Sequence, residues 1–267
     1  MLISFIGGGN MATALIKGLK KTQSPRLSIQ VCTPSDEARA WLRTSLEVET
    51  HYDLAAAIEG ADVIVLAIKP QVMPGVLDKM RGLVAPEQLV LSVAAGKTTT
   101  SISKHLGPEQ AIIRAMPNTP ALTGHGITGI FAGKHCKPHH IEQAERILSA
   151  TGEVVWVKDE KLMDVVTAIS GSGPAYYFLL TEALAAAGKK LGLKGSAARR
   201  LAAYTCFGAG VMVLNGDEKI ADLRRRVTSP GGTTQAALEV LNENDFRDLI
   251  LKAVEAATNR GRELARE

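Results

Sequence analysis

The sequence is poor in aromatic residues, in cysteine and in excess charge. Phe, Tyr and Trp together make up 4% of its 267 residues, so tight packing has to come from aliphatic, alanine and glycine side chains. Its three cysteines, Cys32, Cys136 and Cys206, are odd in number and far apart, with no CxxC pair. That argues against a disulfide framework and predicts a reducing, cytoplasmic compartment. The formal net charge is only +4. The basic runs Lys189-Lys190, Arg199-Arg200 and Arg224-Arg225-Arg226 carry no interleaved aromatics, which argues against a nucleic-acid partner and leaves room for a small anion.

Long apolar runs are also missing. The first run reaches about six residues and ends in glycine, which is not a signal-peptide layout. The uncharged stretch Val165–Thr181 is broken by Gly171-Ser172-Gly173-Pro174, so no membrane span is expected. No GxSxG elbow appears, which disfavours a serine hydrolase of that type. His135-Cys136-Lys137-Pro138-His139-His140 matches no standard zinc spacing, and no metal is expected.

What the chain does contain is a long alternation of apolar runs and helical periods. Strands are predicted at Met1–Ile6, Leu27–Cys32, Ala61–Ile68, Gln88–Ala94, Ala111–Met116, Thr128–Ala132 and Val154–Val157. Helices are predicted at Asn10–Lys20, Asp36–Thr44 (capped by Ser35), Leu54–Glu59, Val72–Met80, from Thr100, and at Pro138–Ala150. Such alternation implies an α/β fold with a doubly wound parallel sheet of the Rossmann type. From about Lys158 only helices follow: Glu160–Ile169, Pro174–Leu191, Gly195–Asn215, Ile220–Arg226, Thr233–Asn242 and Asp245–Glu267. Two domains are therefore expected, 1–158 and 159–267, the second all-α. The helix around Ala202–Leu214 has little charge and carries Gly208, Ala209 and Gly210. It is too apolar to face water, and is either the core of the second domain or part of a subunit interface. An all-helical piece of this kind often completes its core with a partner chain, which predicts an obligate dimer through the helical domain.

Gly7-Gly8-Gly9-Asn10-Met11-Ala12 fits GxGxxG/A between a strand and a helix, where a dinucleotide fold requires it. Gly7 allows the tight turn, Gly9 lets a pyrophosphate approach the backbone, and Ala12 keeps the helix close to the sheet. The helix amides then meet the phosphates. The plainer alternative is an ordinary strand-to-helix turn. The second strand ends Cys32-Thr33-Pro34-Ser35 with no acid to hold a ribose, and Arg39 lies one turn on. A carboxylate there would repel a 2′-phosphate, and hydroxyls with free amides accept one. NADPH is thus expected over NADH. The strand ends Ala67-Ile68-Lys69-Pro70 and Val93-Ala94-Ala95-Gly96 should form the crevice beside the nicotinamide, although Lys69 also reads as a solvent-exposed strand end.

A second concentration is Val227-Thr228-Ser229-Pro230-Gly231-Gly232-Thr233-Thr234. Amides and hydroxyls gather there at a helix start, a nest suited to a substrate carboxylate, or simply a capped helix. Ser229, Gly232, Thr233 and Thr234 are the members of this nest closest to the helix start. Met116-Pro117-Asn118-Thr119-Pro120 reads as a rigid loop beside the crevice or as a turn. Gly171–Tyr176 reads as a helix break and restart.

These segments together resemble the pyrroline-5-carboxylate reductase family. The likeness runs from Phe5–Ala12 through Ala67–Pro70, Ala94–Gly96, Arg114–Pro120 and Gly171–Tyr176 to Val227–Asn242, and the Thr228–Thr234 block is its most specific part. The resemblance implies hydride transfer from NADPH or NADH to the C=N carbon of 1-pyrroline-5-carboxylate, giving L-proline. It implies a Rossmann domain followed by a helical dimerisation domain, with dimers sometimes joining into larger rings. It places the substrate carboxylate on the amides of Gly232, Thr233 and Thr234, the candidate substrate-binding residues, and the Thr234 hydroxyl near the ring nitrogen, which makes Thr234 and Ser229 the candidate catalytic residues. Family members often have alanine where Thr233 stands, so the Thr233 hydroxyl is given no role. Two other readings are an NADP-dependent dehydrogenase of the β-hydroxyacid class and a non-enzymatic NADPH sensor. The first needs a lysine in a Gly- and Asn-rich catalytic helix, where none of Lys161, Lys189 and Lys190 sits, and the second has no use for a polar nest at Thr228–Thr234.

Overall fold

The computed structural model describes residues 1–22 and 26–265. The first part alternates β1 (Leu2–Ile6), α1 (Asn10–Lys21), β2 (Ser28–Cys32), α2 (Asp36–Leu46), β3 (Glu49–His51), α3 (Leu54–Ile58), β4 (Val63–Leu66), α4 (Met73–Met80), β5 (Leu89–Ser92), α5 (Thr99–Leu106) and β6 (Ile112–Met116). A short 3₁₀ turn, Thr119–Thr123, leads to β7 (Gly126–Ala132), α6 (Pro138–Leu148) and β8 (Gly152–Trp156). Then come α7 (Leu162–Val166), a π-helical turn (Thr167–Gly171), α8 (Gly173–Lys190), α9 (Gly195–Asn215), α10 (Ile220–Arg226), α11 (Thr233–Glu243) and α12 (Phe246–Leu264). The helix end expected at Glu267 lies outside the described residues.

The eight strands form one sheet in the order β3-β2-β1-β4-β5-β6-β7-β8. Side-chain parity divides its two faces. Ile3, Phe5, Val63, Val65, Leu89 and Leu91 pack with α1, α2 and α6. Ile6, Ile64, Leu66 and Val90 pack with α3, α4 and α5. Both faces are thus buried, as the unbroken apolar run at β4 demands, and each large side chain so buried contributes about 1.5–3 kcal/mol. The direction of winding reverses between β1 and β4, which makes their carboxyl ends a topological switch point.

Two features depart from the sequence expectation. β3 is an added edge strand, Glu49–His51, with no apolar run to announce it. The sheet is also not wholly parallel, because β7 runs antiparallel to β6. A parallel crossover needs about a dozen residues or more, and the link 117–125 is too short to supply one. The chain therefore turns back on itself.

The His135–His140 segment has a structural part in α6. His140 is buried, its Nδ1 accepts the Lys137 N–H at 3.1 Å, and its Nε2 faces the Glu87 carbonyl at 3.2 Å. Nδ1 must therefore be unprotonated, and Nε2–H donates to Glu87. Burial holds the His140 pKa below its usual value, helped by the neighbouring His139 and Lys137 charges and opposed by the Glu87 carbonyl. The unfolded chain then binds more protons than the folded one as pH falls through about 6.5, so stability drops on acidification in that window. The urea midpoint should fall between about pH 7.5 and about pH 5.5, and His140→Gln should flatten that slope. An unchanged slope in the variant would remove His140 as its source.

Contacts divide the chain into two compact units, Met1–Ser172 with Ala257–Glu267, and Gly173–Ala256. Composition changes earlier, near Lys158. The helix α12 crosses the division, its last turns belonging to the first unit. In the second unit α8 and α9 form a helical hairpin, with Gly188 lying against Leu193 and Ala198. Yet Tyr204, Phe207 and Leu214 remain 70%, 66% and 82% exposed on α9, and α8 likewise exposes Tyr177, Phe178 and Leu179. Apolar surface exposed on that scale marks an interaction face.

Candidate active site

The first unit gathers most of the residues singled out above along one sheet edge. Gly7, at the end of β1, donates its N–H to the Cys32 carbonyl at 2.8 Å. Its φ is +103°, and a Cβ there would lie 2.4 Å from the Ala67 carbonyl oxygen. Only glycine fits where β1 passes the end of β4. Gly9 differs: a Cβ there would meet nothing within 4 Å. Gly9 caps α1 without a side-chain hydrogen bond, and the first turn of α1 holds no acid. The orphan amides of that turn therefore face an open, positively polarised space. Asn10 is exposed, Met11 half-buried, and Ala12 fully buried against the sheet.

The neighbouring strand ends complete the edge. After β2, Thr33 is buried and Pro34 and Ser35 are exposed, and the Ser35 hydroxyl accepts the Ala38 N–H at 3.1 Å, capping α2. Arg39 donates to the Thr33 carbonyl at 2.5 Å, pairs with Asp36 and lies 5.3 Å from the Tyr52 ring centroid. It is thereby fixed beside the β2 end with its charge partly balanced. After β4 come half-buried Ala67 and Ile68, exposed Lys69 and half-buried Pro70. Ala67 donates to the Ile6 carbonyl at 2.9 Å, and Val93 to the Leu66 carbonyl at 3.2 Å. These bonds set the ends of β1, β4 and β5 side by side. Val93 and Ala95 are half-buried and Ala94 is buried. Ala67, Ala94 and Ala95 put small side chains at these ends.

In the second unit, Gly232 caps α11, again with no side-chain hydrogen bond and no acid in the first turn. Gly231 has φ +71° and donates to Gln235 Oε1 at 2.7 Å. Gly232 donates to the Ser229 carbonyl at 2.9 Å. A Cβ at Gly232 would come within 3.0 Å of that same carbonyl. The turn thus curls tightly before Thr233 and Thr234, whose amides fall among those an α-helix leaves unpaired. The Thr228 hydroxyl is spent on the Arg224 carbonyl at 2.7 Å. Ser229 is exposed and Thr234 half-buried.

Two expected loops have definite structural parts. The buried Asn118 side chain accepts the Ile127 N–H at 3.0 Å, tying the loop after β6 to β7. Gly171 ends the π-helical turn, with Met116 Cε 2.6 Å from where its Cβ would be. Sequence reasoning missed a polar cluster centred on β6. Arg114 on β6 is buried, with Nη2 3.3 Å from Asp164 Oδ1 and Nη1 3.6 Å from Glu160 Oε1. Glu160 accepts the Thr99 N–H at 2.7 Å and the Thr99 hydroxyl at 2.9 Å. The only sequence signal was an arginine inside an otherwise apolar strand, which needs a carboxylate partner.

Comparison with known proteins bears on both units. A family model described as pyrroline-5-carboxylate reductase dimerisation matches residues 160–264. One described as NADP oxidoreductase coenzyme F420-dependent matches residues 2–96. The chain is 43% identical over 265 residues to a pyrroline-5-carboxylate reductase of Pseudomonas aeruginosa, covering 99% of this chain and 97% of that protein. It superposes on a solved pyrroline-5-carboxylate reductase from Coxiella burnetii with a TM-score of 0.94 and 40% identity, over 98% of both chains. The pyrroline carboxylate reductase of Plasmodium falciparum, solved with NADP bound, gives 0.87 and 28% identity over 99% of this chain and 98% of that one.

Proposed function

The chain belongs to the pyrroline-5-carboxylate reductase family, and we propose that it holds its cofactor at the β1–β4 switch point and its substrate carboxylate on the first turn of α11. The reaction is hydride transfer from NAD(P)H to the C=N bond of 1-pyrroline-5-carboxylate, giving L-proline, the last step of proline biosynthesis. The relatives match along nearly the whole chain, which does not favour the β-hydroxyacid or sensor readings.

The observation that carries the residue assignment is the pair of helix starts, α1 and α11, each capped by a glycine without a side-chain bond or an acid. The chain supplies two cradles for negative charge, one for a pyrophosphate and one for a carboxylate. The first fits a dinucleotide: Gly7 leaves no room for a side chain and Gly9 leaves space outside the protein. When bound, the cofactor supplies the hydride. Gly7, Gly8, Gly9, Asn10, Met11 and Ala12 form its phosphate turn, and Thr33, Pro34 and Ser35 meet the ribose. Ala67–Pro70 and Val93–Ala95 wall the nicotinamide. The amides of Gly232, Thr233 and Thr234 hold the substrate carboxylate, with the hydroxyls of Thr234 and Ser229 toward the imine. A protonated imine is already electrophilic, so these groups orient the substrate and need not act as strong acids.

NADPH is favoured over NADH because no acid stands at the end of β2 and Arg39 is fixed beside it. A kcat/KM ratio near one for the two cofactors would remove that preference. We divide the chain by function into 1–158, binding NADP, and 159–267, binding substrate and forming the homodimer. The exposed apolar faces of α8 and α9 support the homodimer, and dimers are then free to join into a larger ring. Among the described residues no helix is long and apolar enough to cross a membrane. The three free cysteines agree with a reducing cytoplasm.

The direct test is consumption of NADPH with 1-pyrroline-5-carboxylate, together with formation of proline. Within it, Thr234→Ala should lower kcat/KM by a factor equivalent to about 1–3 kcal/mol, through loss of one hydrogen bond to a polar substrate. An unchanged kcat/KM would strip Thr234 of its role.

A further inference from the structure

We propose that Glu160 is a positioning residue for cofactor binding: it fixes the β5–α5 turn, and with it one wall of the crevice, without touching the cofactor. The proposal rests on the reading of Val93–Ala95 as that wall. The turn is anchored at both ends. At one end Gly96 has φ +73°, and a Cβ there would be 3.2 Å from Leu264 Cβ. At the other, Thr98 caps α5 by accepting the Ser101 N–H at 3.0 Å, and Thr99 begins the helix. Both oxygens of Glu160 go to Thr99, at 2.7 Å to the N–H and 2.9 Å to the hydroxyl.

The charge count shows why this carboxylate does more than neutralise a cation. Arg114 is one guanidinium facing two carboxylates, Asp164 and Glu160. Asp164 lies closer, at 3.3 Å against 3.6 Å for Glu160. The second negative charge is directed instead onto the amino end of α5, where the helix dipole favours it. The bond spans 61 positions, so it ties the start of α5 to a distant part of the chain. Local capping by Thr98 fixes the helix start. Glu160 fixes where that start stands relative to β6 and to the wall.

The test uses the whole protein, with NADPH dissociation measured by titration, both KM values by steady-state kinetics, and folding by circular dichroism and melting temperature. Glu160→Ala should raise the NADPH Kd and KM by about tenfold, since misplacement of a wall propagates to binding. The KM for the imino acid should stay within about twofold. Glu160→Gln, which keeps an acceptor for the Thr99 N–H, should fall between that variant and the native protein. A melting temperature that drops while the NADPH KM stays unchanged overturns the proposal. If Glu160→Ala does not fold, Glu160→Gln decides: an unchanged NADPH KM overturns it equally. Gly9→Ala separates the two levels. Weaker NADPH binding in Gly9→Ala with none in the Glu160 variants removes only the positioning role. No weakening in any of them removes the crevice reading as well.

Discussion

Gly7→Ala is expected to destabilise the fold and to weaken NADPH binding by more than about tenfold, as the larger of two glycine effects at one turn. The added Cβ would lie 2.4 Å from the Ala67 carbonyl oxygen and 2.8 Å from Ile68 Cγ2, at a φ of +103°. The close atom is backbone, so relief requires β1 and β4 to part at the switch point itself. Overpacking of that kind costs about 1–3 kcal/mol, and an alanine at a positive φ adds about 1 kcal/mol or more. Gly9→Ala is the control, because its Cβ meets no protein atom within 4 Å and its φ is −76°. Its urea midpoint should stay close to that of the native protein while NADPH affinity falls. Equal stability of Gly7→Ala and the native chain would contradict the geometry described above.

Arg114→Met should cost about 3–5 kcal/mol of folding stability, the largest single loss we anticipate. The Arg114 side chain is 4% exposed, and its removal takes the cation from between Glu160 and Asp164, which are 19% and 11% exposed. Neutralising both carboxylates in the same chain, as Arg114→Met with Glu160→Gln and Asp164→Asn, should recover much of that loss. Uncompensated charge, rather than lost volume, is the dominant cost. A single variant within about 1 kcal/mol of the native protein in urea denaturation would show that the cluster is open to water.

Much of the fold could be read from the sequence where local and global signals agree. α9 and α10 have the bounds expected of them, Gly195–Asn215 and Ile220–Arg226, because each lies between residues that interrupt a helix. β4 announced itself by an apolar run that only a doubly covered strand can afford. β3 did not, because Glu49, Thr50 and His51 lie at the sheet edge, where pairing with β2 rather than burial defines a strand. The reversal at β7 was hidden too, since its cause is the length of a link and not the residues in it. The glycine turn and the strand ends beside it were legible because backbone geometry demands particular residues there. The Arg114 cluster was not. Its members lie on β6, at the start of α5 and around α7, and no periodicity connects positions brought together only by the finished sheet.

The crossing of α12 back into the first unit has a consequence during synthesis. Gly96 rests on Leu264, and Gly261 lies 3.5 Å from Asp164 once a Cβ is placed on it. The first unit is therefore not complete when its own strands have left the ribosome. Its last segment is translated after the whole intervening helical region, so the nascent protein reaches that region with Gly96 and Asp164 still lacking these neighbours. Fragments ending shortly after Ser172 should consequently be less stable than the same residues in the full chain, and adding the Ala257–Leu264 peptide in trans is a way to measure by how much.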